Sequence, residues 1–272
     1  MFKLILAGIL AIPCFLLTIA TAPIIAILSI PSLLLLLFRK EGKENDGPSP
    51  STRNHVIIFG GSKGIGLAIA KECAAKKNLS NLKITILARN KETLDQAKKE
   101  ICDVADATST TSVEAISVSV SDYPALEKIA GTIANRDERT IIFNCAGIPY
   151  TTNYEEIPIE VYDKLCQTNL LGSIYMTRAF LPHMERGCIV LCSSAVGQVG
   201  MFGYSAYAPT KFALRGFAEA MHAELIRSKP GVSIQIAFPM DTDTPGYQEE
   251  TKMMPEITKV LNADGGVSKP EE

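Results

Sequence analysis

Phe59-Gly60-Gly61-Ser62-Lys63-Gly64-Ile65-Gly66 sets the architecture of this chain. The segment follows a short apolar strand, His55 to Phe59, and opens a helix that runs through Lys77. Glycines at such a junction permit a tight turn. They also let the backbone approach a pyrophosphate at the helix N-terminus. Turns use glycine for many reasons. Its place directly after the first strand of a βαβ unit is what points to a dinucleotide.

Working outward, strand and helix signals alternate. Lys83 to Ala88 predicts a second strand and Lys91 to Ile101 a helix; Ala115 to Val120 predicts a third strand and Tyr123 to Ala134 a helix. Thr140 to Phe143 is a fourth strand, and Pro158 to Glu185 a helix that contains Asn169 and breaks near Pro182. Gly187 to Cys192 is a fifth strand, Tyr204 to Arg227 a helix and Val232 to Phe238 a sixth strand. This order predicts an α/β chain with a doubly wound parallel sheet, a Rossmann fold, with helices on both faces. Right-handed crossovers gather the loops after the strands along one rim, where ligands bind.

The second strand ends in Leu87-Ala88-Arg89-Asn90. An acidic residue there would take a free ribose 2′-hydroxyl. Arg89, with Lys63 in the glycine turn, suits a 2′-phosphate instead, so the expected cofactor is NADPH.

Composition bounds the remaining choices. Hydrophobic residues make up 47% and charged residues 21%, a balance that fits a globular core plus a membrane segment. A formal charge of −2 gives no electrostatic case for nucleic acid. The seven cysteines form no C-x-x-C pair and are expected to be reduced, mostly core thiols. His55, His183 and His222 are scattered, so no metal site is expected.

Leu4 to Phe38 carries no charged side chain, whereas one spanning helix needs about 20 apolar residues. Residues 1–40 are therefore expected to be a membrane anchor. Pro13, Pro23 and Pro31 leave open one span plus an interfacial piece, or a helical hairpin. A cleaved signal peptide, with Ala20-Thr21-Ala22 at its end, is the rival; Pro23 and the second apolar block argue against it. Arg39, Lys40 and Lys43 put the domain on their C-terminal side in the cytoplasm. Residues 41–53 are a polar linker, and residues 54–272 the catalytic domain.

Of eight tyrosines only Tyr207 has a lysine, Lys211, four places on, so the two share a helix face. An ammonium beside a phenol is expected to lower its pKa and make it an acid for a carbonyl oxygen. A serine from the Ser193-Ser194 pair could hold that carbonyl.

Gly60-x-x-x-Gly64-Ile65-Gly66, Asn144-Cys145-Ala146-Gly147, Asn169, Ser194 and Tyr207-x-x-x-Lys211 occur in this order. On these motifs the region from about residue 54 to 245 resembles the short-chain dehydrogenase/reductase family. The resemblance implies that Ser194 orients the carbonyl and Tyr207 is the acid/base. Lys211 tunes Tyr207 and binds the nicotinamide ribose, and Asn169 holds a relay water. It also implies cofactor contacts at Gly60, Ser62, Lys63, Gly64, Ile65, Gly66, Arg89 and Asn144, besides Tyr207 and Lys211. Family spacing favours Ser194 over Ser193, which is left to support the strand end. The helices Pro158 to Glu185 and Tyr204 to Arg227 match the family's usual homodimer face.

Three further segments, Gly197 to Gly203, Lys211 to Gly216 and Pro239 to Gly246, are similar to the branch of this family that reduces long-chain sphingoid ketones. That branch implies a lipid substrate drawn from a membrane and a cytosol-facing domain at the endoplasmic reticulum. The alternatives are a membrane-anchored steroid or 3-ketoacyl reductase, or an impaired homologue that acts as a binding protein.

The chain departs from the family at Phe59, where threonine is usual, and at Ser119, where aspartate is usual; Asp122 lies three places too late to substitute. Family members continue beyond the point that matches Lys269-Pro270 with a further helix and strand. The sixth strand is therefore expected to be an exposed edge and one pocket wall to be missing.

Overall fold

The computed structural model describes residues 53–76, 81–105, 110–263 and 265–271. The expected anchor and most of the expected linker lie outside these residues. No helix among the described residues is long and apolar enough to cross a membrane.

Six parallel strands form one sheet in the order β3-β2-β1-β4-β5-β6. They are β1 (Asn54–Phe59), β2 (Leu82–Ala88), β3 (Ser112–Ser117), β4 (Arg139–Asn144), β5 (Gly187–Cys192) and β6 (Val232–Ala237). Alternate residues of each strand face opposite layers. Val56 and Ile58 of β1, Ile141 and Phe143 of β4, and Cys188 and Val190 of β5 join one core. That core lies against α1 (Gly64–Ala75) and α2 (Lys91–Val104). Ile57, Phe59, Ile142, Ile189 and Leu191 point the other way, against α3 (Tyr123–Ile133), α5 (Gly172–Phe180) and α6 (Tyr207–Ser228). The strand order reverses between β1 and β4, so the crevice at their C-terminal ends is where a ligand binds in such folds.

Most boundaries fall within three residues of the sequence expectation. β3 ends at Ser117, three residues before the expected Val120. Its ladder with β2 stops at the pair Ala88↔Ser117, and Ser119 to Ser121 then turn towards the crevice. The expected single helix from Pro158 is broken. α4 (Ile159–Leu165) runs into a π-turn at Cys166–Leu171, then into α5, and a 3₁₀ turn at Leu181–His183 ends it around Pro182. β6 is an edge strand, with Val232, Ile234 and Ile236 buried on one face only. Two helices the sequence did not announce come after it, α7 (Pro245–Met253) and α8 (Glu256–Asn262). α7 supplies part of the wall that was expected to be missing, with Pro245, Gly246, Tyr247 and Glu250 lining the cleft.

Phe59 has a core role. It is fully buried and meets Phe180 edge to face, ring centres 5.5 Å apart. Asp122 caps α3, accepting from the Ala125 amide, so it does not replace an adenine-contacting acid.

His55 in β1 is fully buried, with Nε2 at 2.8 Å from the Thr85 hydroxyl. Its Nδ1 lies 3.5 Å from a Glu138 carboxylate oxygen, a distance that would be an ion pair only with a protonated ring. Burial, then the charges of Lys83 and Arg53, push its pKa down to about 3, so the ring is neutral at physiological pH. The unfolded chain protonates His55 near 6.5 and the native chain does not. The His55 contribution is therefore full above pH 6.5 and falls below it, by about 1.4 kcal/mol per pH unit. On going from pH 7.5 to 5.5, urea denaturation should show wild-type stability changing about 1.4 kcal/mol less favourably than that of His55→Asn, a difference in which the other titrating groups cancel. An equal pH dependence in both would refute it.

Candidate active site

The C-terminal ends of the strands enclose a cleft of about 650 Å³. One end is built by the glycine turn. Gly60 and Gly64 have φ of +74° and +54°, conformations that a side chain disfavours. A Cβ on Gly66 would sit 2.4 Å from the Gly60 carbonyl oxygen, so α1 packs directly on the turn. Asn90, Asp122 and Thr244 cap the helices that they precede, but Lys63 at the start of α1 gives no side-chain cap. The first amides of α1 are left for a ligand. Ser62, Lys63, Gly64, Ile65 and Gly66 all line the cleft, and Arg89 lines its neighbouring wall. Lys63 and Arg89 are exposed and make no salt bridge among the described residues. An uncapped helix end, a glycine-rich turn and two cations without a salt bridge among the described residues fit a phosphorylated dinucleotide.

At the other end stand Ser194, Tyr207 and Lys211. Tyr207 opens α6 and Lys211 comes one turn later. The Lys211 ammonium lies 5.5 Å from the centre of the Tyr207 ring and donates to the Cys192 carbonyl at 2.9 Å. Ser194 lines the cleft beside Tyr207 and acts in the direction that favours the ionised phenol. Ser193 points away and donates to the Lys211 carbonyl at 3.0 Å, bracing β5 against α6.

The electrostatics differ from the sequence expectation. The Tyr207 phenol is pushed above its ordinary range, first by burial and then by the Glu250 carboxylate. Lys211, itself lowered by burial, does not reverse this. The proton therefore stays on Tyr207 at neutral pH.

Asn144 and Asn169 stand behind the cleft. Asn144 is buried, donates to the Ser173 hydroxyl at 2.8 Å and accepts from the Ala146 amide at 3.3 Å. Its side chain is thus engaged in the wall of the cleft. Asn169 sits in the π-turn. Its side chain accepts from the Ile148 amide at 2.8 Å, and donates to the Ile148 carbonyl at 3.0 Å and to the Thr210 hydroxyl at 3.2 Å. These bonds pin the loop after β4 to α6.

Sequence reasoning missed several groups here. Glu250 on α7 lines the cleft together with Tyr204, and burial pushes its carboxyl up to about 7. Tyr204 packs on Tyr207 with ring centres 6.1 Å apart. Thr244 caps α7 by accepting from the Tyr247 amide, and Pro245 opens it. This Thr-Pro start was the available signal. Cys145 and Cys192, at the ends of adjacent strands, both line the cleft. The Cys145 thiol and the Lys211 ammonium favour the Cys192 thiolate. Among the described residues no group of His, Cys, Asp and Glu could hold a metal ion.

The sequence profile of the short chain dehydrogenase family matches residues 54–255. The 3-dehydrosphinganine reductase of Danio rerio is 39% identical over 252 residues, which cover 89% of this chain and 73% of that protein. The 3-ketodihydrosphingosine reductase of Bos taurus is 37% identical over 258 residues, 92% of this chain and 74% of the other. Among solved structures, actinorhodin polyketide ketoreductase with NADPH superposes with a TM-score of 0.69. The match covers 80% of this chain and 86% of the other at 22% identity, a likeness of fold.

Proposed function

Because this chain belongs to the short-chain dehydrogenase family, we propose that it reduces 3-ketosphinganine to sphinganine with NADPH. What supports the reading above all is that Ser194, Tyr207 and Lys211 line the same cleft as the uncapped glycine turn. The names of relatives at 39% and 37% identity supply the substrate. Gly60 to Gly66 and the first amides of α1 would hold the pyrophosphate, and Lys63 and Arg89 the 2′-phosphate. Lys211 would take the nicotinamide ribose. NADPH, when bound, supplies hydride to the carbonyl carbon. Ser194 orients the carbonyl oxygen. Tyr207, whose proton is firmly held at neutral pH, donates it as negative charge grows on that oxygen. Asn169 and Asn144 act as positioning residues for the wall on which this happens.

The same reading takes residues 1–40 as a membrane anchor and residues 41–53 as a linker. It places the catalytic domain at the cytosolic face of the endoplasmic reticulum membrane, in contact with membrane lipid. The charge-free run Leu4 to Phe38 supports the anchor. A lipid ketone stays in the bilayer, since each buried methylene is worth about 0.8 kcal/mol, so a tethered site meets it there. The exposed Ile159 on α4, with Phe212 and Ile226 on α6, supports a homodimer through these helices.

The test is NADPH oxidation by the full chain in mixed micelles with 3-ketosphinganine, a steroid ketone or a 3-ketoacyl thioester. Sphinganine should form, with NADH at least about tenfold poorer than NADPH as donor, as two cations on one phosphate imply. Turnover of the thioester or steroid alone would favour the alternative reductases. NADPH binding without turnover of any ketone would favour a binding protein.

A further inference from the structure

The sphingoid reading has an electrostatic implication for the far wall of the cleft. Among the described residues two carboxylates line that cleft, Asp241 and Glu250. Asp241 already accepts from the Tyr247 hydroxyl at 3.3 Å. Glu250 has no salt bridge among the described residues. Lys211, the cation that acts on it, is turned to the Cys192 carbonyl.

Left alone, this carboxylate opposes the chemistry next to it. It is partly buried, which is costly for an unpaired charge. After burial itself, it is the largest influence that tightens Tyr207's hold on its proton. Both effects disappear if the ligand carries a cation to this spot. A long-chain 2-amino-3-ketone does so, because its ammonium is bonded to the carbon next to the carbonyl. A carbonyl oxygen held by Ser194 and Tyr207 therefore brings the ammonium close to the phenol. Glu250 lines the same cleft as that phenol and carries no salt bridge among the described residues, and an ammonium arriving there would hold its carboxyl in the charged form.

We propose that Glu250 is the counter-ion for the ammonium group of the substrate, and that it makes the site select amino ketones over plain ketones. Pairing neutralises the carboxylate and relaxes its pull on the Tyr207 proton. The substrate's own charge thus turns Tyr207 into the better acid once the correct ligand is bound. Tyr204, which lines the cleft with Glu250, packs its ring on that of Tyr207.

The experiment compares wild type, Glu250→Gln and Glu250→Asp as full chains in micelles with NADPH. The ketones are 3-ketosphinganine and its des-amino counterpart. Glu250→Gln should raise KM for the amino ketone about tenfold or more, the effect of losing one charged hydrogen bond, and change KM for the des-amino ketone less than about twofold. Glu250→Asp should recover part of the selectivity, and NADPH affinity should be the same in all three. Equal changes with both ketones would overturn the proposal in favour of a structural role, as would an unchanged KM for the amino ketone. A second readout does not need turnover: equilibrium dialysis of sphinganine and of its des-amino diol with the NADP-loaded protein. The wild type should prefer the amine, and Glu250→Gln should lose that preference. An inactive wild type that still prefers the amine would sink the reductase reading and leave the ammonium site standing. A wild type that reduces 3-ketosphinganine without any amine preference would do the reverse.

Discussion

Tyr207→Phe should lower carbonyl reduction about 10³-fold, within the 10²–10⁴ that a positioned general acid supplies, and leave NADPH affinity within about twofold. The substitution removes one oxygen and little else. Phenylalanine keeps the ring that packs on Tyr204 at 6.1 Å and lies 5.5 Å from the Lys211 ammonium. It also keeps the backbone carbonyl that accepts from the Thr210 hydroxyl at 2.7 Å. α6 therefore starts as before, and Lys211 keeps its bond to Cys192. The lost hydroxyl is the one that burial and Glu250 keep protonated. Since that group's pKa is raised, the wild-type acid stays loaded through neutral and mildly alkaline pH. The rate should not fall for want of this proton until the solution is well past the ordinary phenol range near 10. Stopped-flow NADPH oxidation with NADPH titration by fluorescence separates the two effects. Undiminished turnover in Tyr207→Phe would remove Tyr207 from its role.

The second large effect is expected at the turn. Gly66→Ala puts a methyl group 2.4 Å from the Gly60 carbonyl oxygen, 2.9 Å from its carbon and 3.2 Å from the Gly61 Cα. All three are backbone atoms, so no side chain can swing away. Either α1 moves off the turn or the turn opens. Both misdirect the amides that would hold the pyrophosphate, and overpacking of this kind costs about 1–3 kcal/mol in stability. NADPH affinity should fall at least about tenfold and Tm by several degrees, at roughly 2–4 °C per kcal/mol. Gly131→Ala is the control. It sits within α3 with no atom within 4 Å of the added carbon. There the helix should gain about 0.5–1 kcal/mol, and NADPH binding should not change. Tight NADPH binding by Gly66→Ala would show that the turn is not the cofactor's cradle.

The sheet was legible because its strands are short apolar runs that end in turn residues, and because glycine at the first turn has a mechanical reason. β3 was read three residues late. Val118 and Val120 continue the apolar alternation after the ladder with β2 has run out at Ala88. The π-turn was not legible, since nothing in Cys166-Gln167-Thr168-Asn169-Leu170-Leu171 forbids an ordinary helix. It is fixed by Asn169 reaching Ile148 and Thr210, contacts distant in sequence. For the same reason the hydrogen bonds by which Asn144 and Asn169 brace the wall were not legible. α7 and α8 were passed over because their exposed faces, with Ile257, Val260 and Leu261 at the surface, give no amphipathic pattern aimed at the sheet. Glu250 went with them. The phenol's proton affinity was misjudged in sign, since burial and a carboxylate from another segment outweigh a lysine one turn away.

The extra residue wound into Cys166–Leu171 fixes how this stretch can change length over generations. One residue removed there lets the turn relax into regular helix, so the residues after it keep their faces. Met176 and Phe180, both fully buried, would stay in the core, and Ser173 would keep Asn144. What such a deletion takes away is the widened turn that carries Asn169 to Ile148 and Thr210.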